Sequence, residues 1–207
     1  MIRLMILAAI GLVSCVNSQA GSMFTIDMEG IAPDGNQTVE QNASHQFGDF
    51  TLSMGYGHFV DSAHSLAGGR PSNGTDWFMS DWLEDDRGFD LTKTSGGSFS
   101  LLSFDATEWT SSFSPGTLLT VTGKLSSGAF VSQQFTTDSS PTQFETFVLN
   151  DSFLNVVSVH FEDEGNFTNA FEGKLGFDNI VVAPVPEPTS FAIIVVASGL
   201  LVTRRRR

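Results

Sequence analysis

Acidic, aromatic and hydroxylated side chains carry whatever chemistry this chain of 207 residues can do. Trp77, Trp82, Trp109 and Tyr56 have rings able to stack on sugar faces, although large aromatics are equally ordinary core material. Trp77 and Trp82 lie beside the densest acidic stretch, Asp81, Glu84, Asp85 and Asp86. That stretch lacks the Asp-x-Asp-x-Asp-Gly rhythm of an EF-hand loop, so a solvated loop is its plainest reading. His45, His58, His64 and His160 show no HExxH or comparable metal-ligand spacing. There is no Gly-x-Ser-x-Gly elbow for a serine nucleophile. Carboxylate pairs such as Asp105 and Glu108 have the chemistry of a glycosidase, but 23 acidic residues supply such pairs by number alone. No constellation points to catalysis.

Charge narrows the partners. Setting aside Arg3 and Arg204 to Arg207 leaves Arg70, Arg87, Lys93, Lys124 and Lys174 against 23 acidic residues, a balance of −18. Such a surface repels nucleic acid and anionic lipid and attracts divalent cations. Solubility alone would explain it too.

The ends carry their own signals. Arg3, the apolar stretch Leu4 to Val13 and the small residues of Ser18-Gln19-Ala20 read as a secretory signal cleaved after Ala20. At about 1.5 Å per residue the apolar stretch is too short to cross a hydrocarbon core of about 30 Å. Leu12-Val13-Ser14-Cys15 offers a second reading, a lipobox with Cys15 as the lipidated residue. Cys15 is the sole cysteine, so cleavage after Ala20 leaves a domain that must be stabilised by its core rather than by disulfides.

Positioning falls to β-strands. Residues 21–183 are rich in Phe, Thr, Ser and Gly, with short apolar-alternating runs between turn residues, which predicts an all-β, two-sheet sandwich of jelly-roll type with about nine strands. The expected strands begin with Ser22 to Met28, followed by a turn at Gly30 to Asn36. A pair is expected in Phe47 to Phe59 around Gly55 and Gly57, then a short aromatic run, Asp76 to Leu83. In Ser98 to Ala106 the apolar phase slips between Phe99/Leu101 and Leu102/Phe104, which predicts a β-bulge. Leu119, Val121, Gly123 and Leu125 face inward. Ala129, Val131, Gln133 and Phe135 follow across Ser126-Ser127-Gly128 as a hairpin. Phe144 to Leu149 comes next, then Val157, Val159 and Phe161 alternating with outward Ser158 and His160, and finally Leu175 to Val182. Asp61 to Thr75 and Asp81 to Asp90 read as loops.

Ala183 to Pro188 holds three prolines in six residues, which ends the β-domain and opens an extended linker. Phe191 to Val202 is apolar or small and runs directly into Arg204, Arg205, Arg206 and Arg207. As a helix it falls short of the about 20 residues that span a bilayer comfortably. The arginines place its end on the cytoplasmic side, with the body outside. Pro186-Glu187-Pro188, the apolar stretch and the Arg run, in this order, resemble the sorting tail of the PEP-CTERM family over the last 23 residues. The resemblance implies signal peptidase and exosortase as processing partners, passage through the inner membrane, and association with exopolysaccharide or biofilm matrix. A plain C-terminal anchor is the alternative.

Gly97 to Asp105 and Gly176 to Val182 resemble strands of galactose-binding-like jelly rolls. In jelly-roll carbohydrate-binding modules a structural Ca²⁺ often sits between the first and last strands. The resemblance therefore implies Glu29 and Asp178 as candidate Ca²⁺ ligands, with hard oxygens suited to that ion. The whole reading is a signal peptide (1–20), a β-sandwich (21–183) and a sorting tail (184–207). The domain is expected to be a non-catalytic carbohydrate-binding or structural module, with Trp77 and Trp82 as candidate sugar contacts. A polysaccharide-active enzyme on the same scaffold is the alternative.

Overall fold

The computed structural model describes residues 22–64, 71–80, 88–108, 116–140, 142–163 and 175–185. The signal segment with Cys15, the tail from Pro186 to Arg207, Trp82, Trp109 and the acidic stretch Asp81, Glu84, Asp85 and Asp86 lie outside them.

Among the described residues, alternation in the sequence becomes eleven strands: β1 Phe24–Ile26, β2 Gln37–Phe47, β3 Phe50–Val60, β4 Trp77–Ser80, β5 Phe89–Lys93, β6 Phe99–Glu108, β7 Leu118–Leu125, β8 Phe130–Thr136, β9 Glu145–Val148, β10 Val156–Asp163 and β11 Leu175–Pro184. One 3-10 turn, Asp151–Phe153, precedes β10. Among the described residues no helix is long and apolar enough to cross a membrane.

The strands pair in the order β8-β7-β10-β5-β3-β4-β11-β6-β9, with β2 also on β3 and β1 also on β11. From β4 onward, successive strands mostly alternate between the β10–β5 half and the β11–β6 half, the habit of a jelly roll. The ladder does not break into two separate sheets as expected. β3 is shared, pairing β5 through Phe50–Met54 and β4 through Gly57–Val60. A strand of this length turns the corner because its inward face shifts. Phe50, Leu52, Met54 and Phe59 all enter one core, and the change of phase lies beside Asn42, whose φ is 50°.

Facing side chains close the sandwich. Phe89 and Phe161 from one half meet Phe177 and Phe104 from the other, with centroid separations of 4.9 Å for Phe89–Phe177 and 5.2 Å for Phe104–Phe161. All four are at most 1% exposed. Burial of each such ring stabilises by about 1.5–3 kcal/mol, and edge-to-face pairing adds about 0.5–1.5 kcal/mol. An aromatic core of this kind answers for a domain without disulfides.

Several expectations change. The hairpin turn lies at Gly48–Asp49, and Gly55 and Gly57 sit inside β3. β2 is an additional strand, and β5 turns the end of the expected Asp81 to Asp90 loop into a ladder with Phe89 and Leu91 inward. In β10 a register irregularity between Val156 and Ser158 buries Val156 in place of Val157. The expected slip in β6 is real: Phe99, Leu101, Phe104 and Ala106 share one core, and the β6–β11 register is irregular beside Ser103. The β7–β8 hairpin forms as expected across Gly128, at φ 85°.

Candidate functional site

Register fixes which side chains share a face. Directly opposed residues in antiparallel strands point to the same side. Ser44 lies opposite Ser53, Ser53 opposite Asp90, Asp90 opposite His160, His160 opposite Thr122, and Thr122 opposite Ser132. One polar row therefore crosses six strands on the outer face. A second row, two residues along each strand, runs Gln46, Thr51, Thr92, Ser158, Lys124 and Phe130. The inward row between them carries Leu52, Leu91 and Val159, each fully buried. Mostly polar side chains therefore cover the outer face across six strands, with Asp90 as the one carboxylate of the two rows and Phe130 exposed at the β8 edge.

This face has a cleft of about 370 Å³ where β2, β3, β5 and β10 meet, lined by Asn42, Ser44, Ser53, Asp90 and His160 among others. Two of its lining positions, Gly55 and Gly88, bring no side chain into the opening. Gly88 is required there: its φ is 97°, and a Cβ would run into the carbonyl oxygen of Phe161. His160 Nδ1 lies 3.0 Å from Asp90 Oδ1, an exposed pair that orients both groups at the cleft. Asp90, Ser53, Ser44 and Asn42 offer the mix of donors and acceptors that vicinal hydroxyls need.

A second polar assembly lies at the junction of β1, β4 and β11. Asp178, fully buried, sits where β11 is irregular, before Asn179 at φ 48°. Its Oδ2 accepts from Asn73 Nδ2 at 2.6 Å and from Thr75 Oγ1 at 2.7 Å, and its Oδ1 accepts the Asn179 N–H at 2.7 Å. Burial, helped by the charge of Asp105, outweighs these donors and pushes its carboxyl up to about 6. Glu29 Oε1 accepts the Asp76 N–H at 3.0 Å, and Asp76 in turn accepts the N–H groups of Gly30 and Ser62. Glu29 and Asp178 are thus tied to opposite ends of one segment, Asn73 to Asp76. Their oxygens suit Ca²⁺ in type. At Asp178 three protein donors already contact the carboxylate, two on Oδ2 and one on Oδ1.

Other sequence candidates separate. Trp77 is 1% exposed and packs with Val60, Met79 and Phe144, so it is core material and not a stacking surface. Its ring fills the space that Gly176 leaves open on β11. Asp105 and Glu108, three residues apart on β6, point to opposite faces. Asp105 accepts from Thr146 Oγ1 and Asn179 Nδ2, whereas Glu108 is buried. His160 faces outward as its alternation predicts; His45 lies edge-on to Phe59 at 4.7 Å. The polar row escaped sequence reasoning because its members are spread from Ser44 to His160, and only the strand order aligns them.

No family model matches the chain, and no curated protein matches it. Among solved structures it is similar to an arabinose-bound MgGH51 α-L-arabinofuranosidase, at 14% identity and TM-score 0.44 over 81% of this chain and 27% of that one. It is also similar to a DUF4465 family protein from Bacteroides ovatus, at 9% identity and TM-score 0.43, over 79% and 94% of the two chains. A third is the CBM22-1 xylan-binding domain from Paenibacillus barcinonensis Xyn10C, at 11% identity and TM-score 0.38, over 81% and 97%. The chain spans about a quarter of the arabinofuranosidase and most of the other two. Binding residues do not transfer at such identities, because function resides in the site and not in the fold.

Proposed function

We propose that this chain is an exported, envelope- or matrix-held module that binds neutral polysaccharide without cleaving it, through the outer face of β2, β3, β5, β10, β7 and β8. The observation that carries the reading is the row Ser44, Ser53, Asp90, His160, Thr122 and Ser132, with a cleft opening at its Asp90–His160 pair. A row six strands wide, at about 4.8 Å per strand, is long enough to lie along several sugar units. Its polar side chains match hydroxyl-rich polymers better than apolar ligands. The acidic balance of the chain disfavours anionic polymers, hence the neutral substrate class. A shallow polar face binds each unit weakly, and a polymer with many units raises the effective affinity.

Delivery follows from the tail. In this reading signal peptidase removes residues 1–20, and an exosortase processes the chain near Pro186-Glu187-Pro188 while Arg204 to Arg207 stay inside. Mass spectrometry of the cell-derived protein tests it: a mature form retaining Arg204 to Arg207 speaks against exosortase processing.

Affinity electrophoresis through gels containing a panel of neutral polysaccharides tests the binding face. The full chain should be retarded by at least one polymer, and Asp90→Ala and His160→Ala should each abolish the retardation. Unretarded migration on every gel, or retardation unchanged in both variants, would sink the proposal. Release of reducing ends from the same polymers would instead support the enzymatic alternative.

A further inference from the structure

The end of the sandwich formed by β6 and β9 holds carboxylates of a different kind. Ala106 on β6 lies opposite Glu145 on β9. Glu108, two residues further along β6, shares that face and points along the same edge of the core. Asp138 arrives from the segment after β8, which Thr137 anchors through hydrogen bonds with the backbone of Thr117. One oxygen from each of Glu108, Asp138 and Glu145 lies within 4.8 Å of the others.

These acids are short of donors. Glu108 is 0% exposed. Its Oε1 accepts the Ser139 N–H at 2.7 Å, but its Oε2 is buried and has no hydrogen-bond partner among the described residues. Glu145 Oε1 accepts the Asp138 N–H at 2.8 Å, and Asp138 Oδ1 accepts the Ser140 N–H at 2.7 Å. Among the described residues the ion pairs lie elsewhere, on Glu40, Asp49 and Asp90. A buried carboxylate in a group of three acids, with one oxygen lacking a donor, is unfavourable as an anion unless a cation joins it.

We propose that Glu108, Asp138 and Glu145 form a divalent-cation site that binds Ca²⁺. Oxygen-only ligands select a hard cation. Ca²⁺ accepts about six to eight oxygens in irregular spheres, which three carboxylates and water can complete around one exposed and two more buried ligands. Mg²⁺ demands a near-ideal octahedron that three acids from separate elements have no means of enforcing. The ion would staple β6, β9 and the segment after β8 at one end of the domain. The site is independent of the polysaccharide face and of the Glu29–Asp178 junction.

Calorimetric titration of CaCl₂ into the EDTA-treated, dialysed full chain tests it, with melting temperatures read in parallel. Saturable binding of one ion is expected, with a calcium-dependent rise in Tm by mass action. Glu145→Gln and Asp138→Asn should each weaken binding by about tenfold or more, and Asp178→Asn should leave it unchanged. Glu108→Gln should raise the Tm in EDTA while erasing the calcium-dependent rise, a pairing that simple damage to the fold does not produce. Absence of saturable binding, equal affinity in Glu145→Gln and Asp138→Asn, or loss of binding only in Asp178→Asn would overturn the assignment.

Discussion

At the β1–β11 junction Asp178 is buried among donors, whereas at the β6–β9 end Glu108 is buried beside other acids. Both carboxylates are 0% exposed, so burial does not distinguish them. The neighbours do. Asn73, Thr75 and the Asn179 N–H surround Asp178, while one oxygen of Glu108 meets no donor among the described residues. The difference teaches that a buried acid reports on its surroundings only after its hydrogen bonds have been counted. The first acid is held by protein donors, and the second is where we propose a cation.

The largest expected effect comes from removing the tie. Asp178→Ala strands Asn73 Nδ2 and Thr75 Oγ1 without their acceptor and should lower unfolding stability by about 2–4 kcal/mol in chemical denaturation. If the loss is below about 1 kcal/mol, the junction does not hold β11 to the Asn73–Asp76 segment. At the other end the sign reverses. Glu108→Gln in EDTA should stabilise by about 1 kcal/mol, because it removes a buried charge facing two others. Equal destabilisation by both substitutions would erase the contrast.

A pH series sharpens the comparison further. The Asp178 carboxyl is raised from 3.8 to about 6, so between those values the folded state binds more protons than the unfolded one. Stability from this group is therefore greatest below 3.8 and is lost as pH rises through about 6. In Asp178→Asn that decline should flatten, as read from urea midpoints at several pH values. A decline that persists unchanged assigns the titration elsewhere. The smallest effect belongs to the exposed face: Asp90→Asn should change stability by less than about 0.5 kcal/mol, since exposed ion pairs contribute little, while weakening polysaccharide retention. A larger stability loss would make Asp90 part of the framework.

Sequence patterning made the all-β class and the β7–β8 hairpin legible because inward apolar residues recur there at a strict period of two. β2 was illegible for the opposite reason. Gln37 to Phe47 is almost wholly polar, and only its backbone ladder to β3 makes it a strand. β5 hid behind the charges that precede Phe89. Trp77 could not be assigned from type alone, because a ring that stacks on sugar also fills a core; Gly176 opposite it decides the matter, and nothing local links the two. The outward side of His160 was visible in its alternation with Val159 and Phe161. Its alignment with Ser44 and Ser132 depends on strand order. Glu108 was noted as one carboxylate of many, since the missing donor at Oε2 is a fact of packing.

The last strand before the prolines has a mechanical consequence. β11 is clasped along its length by β6 on one side and by β4 and then β1 on the other. A pull along the axis of β11 would load these ladders together in shear and would not peel them one bond at a time. A domain held by its C-terminal end while its face grips a polymer would thus carry tension through the strand best built to resist it.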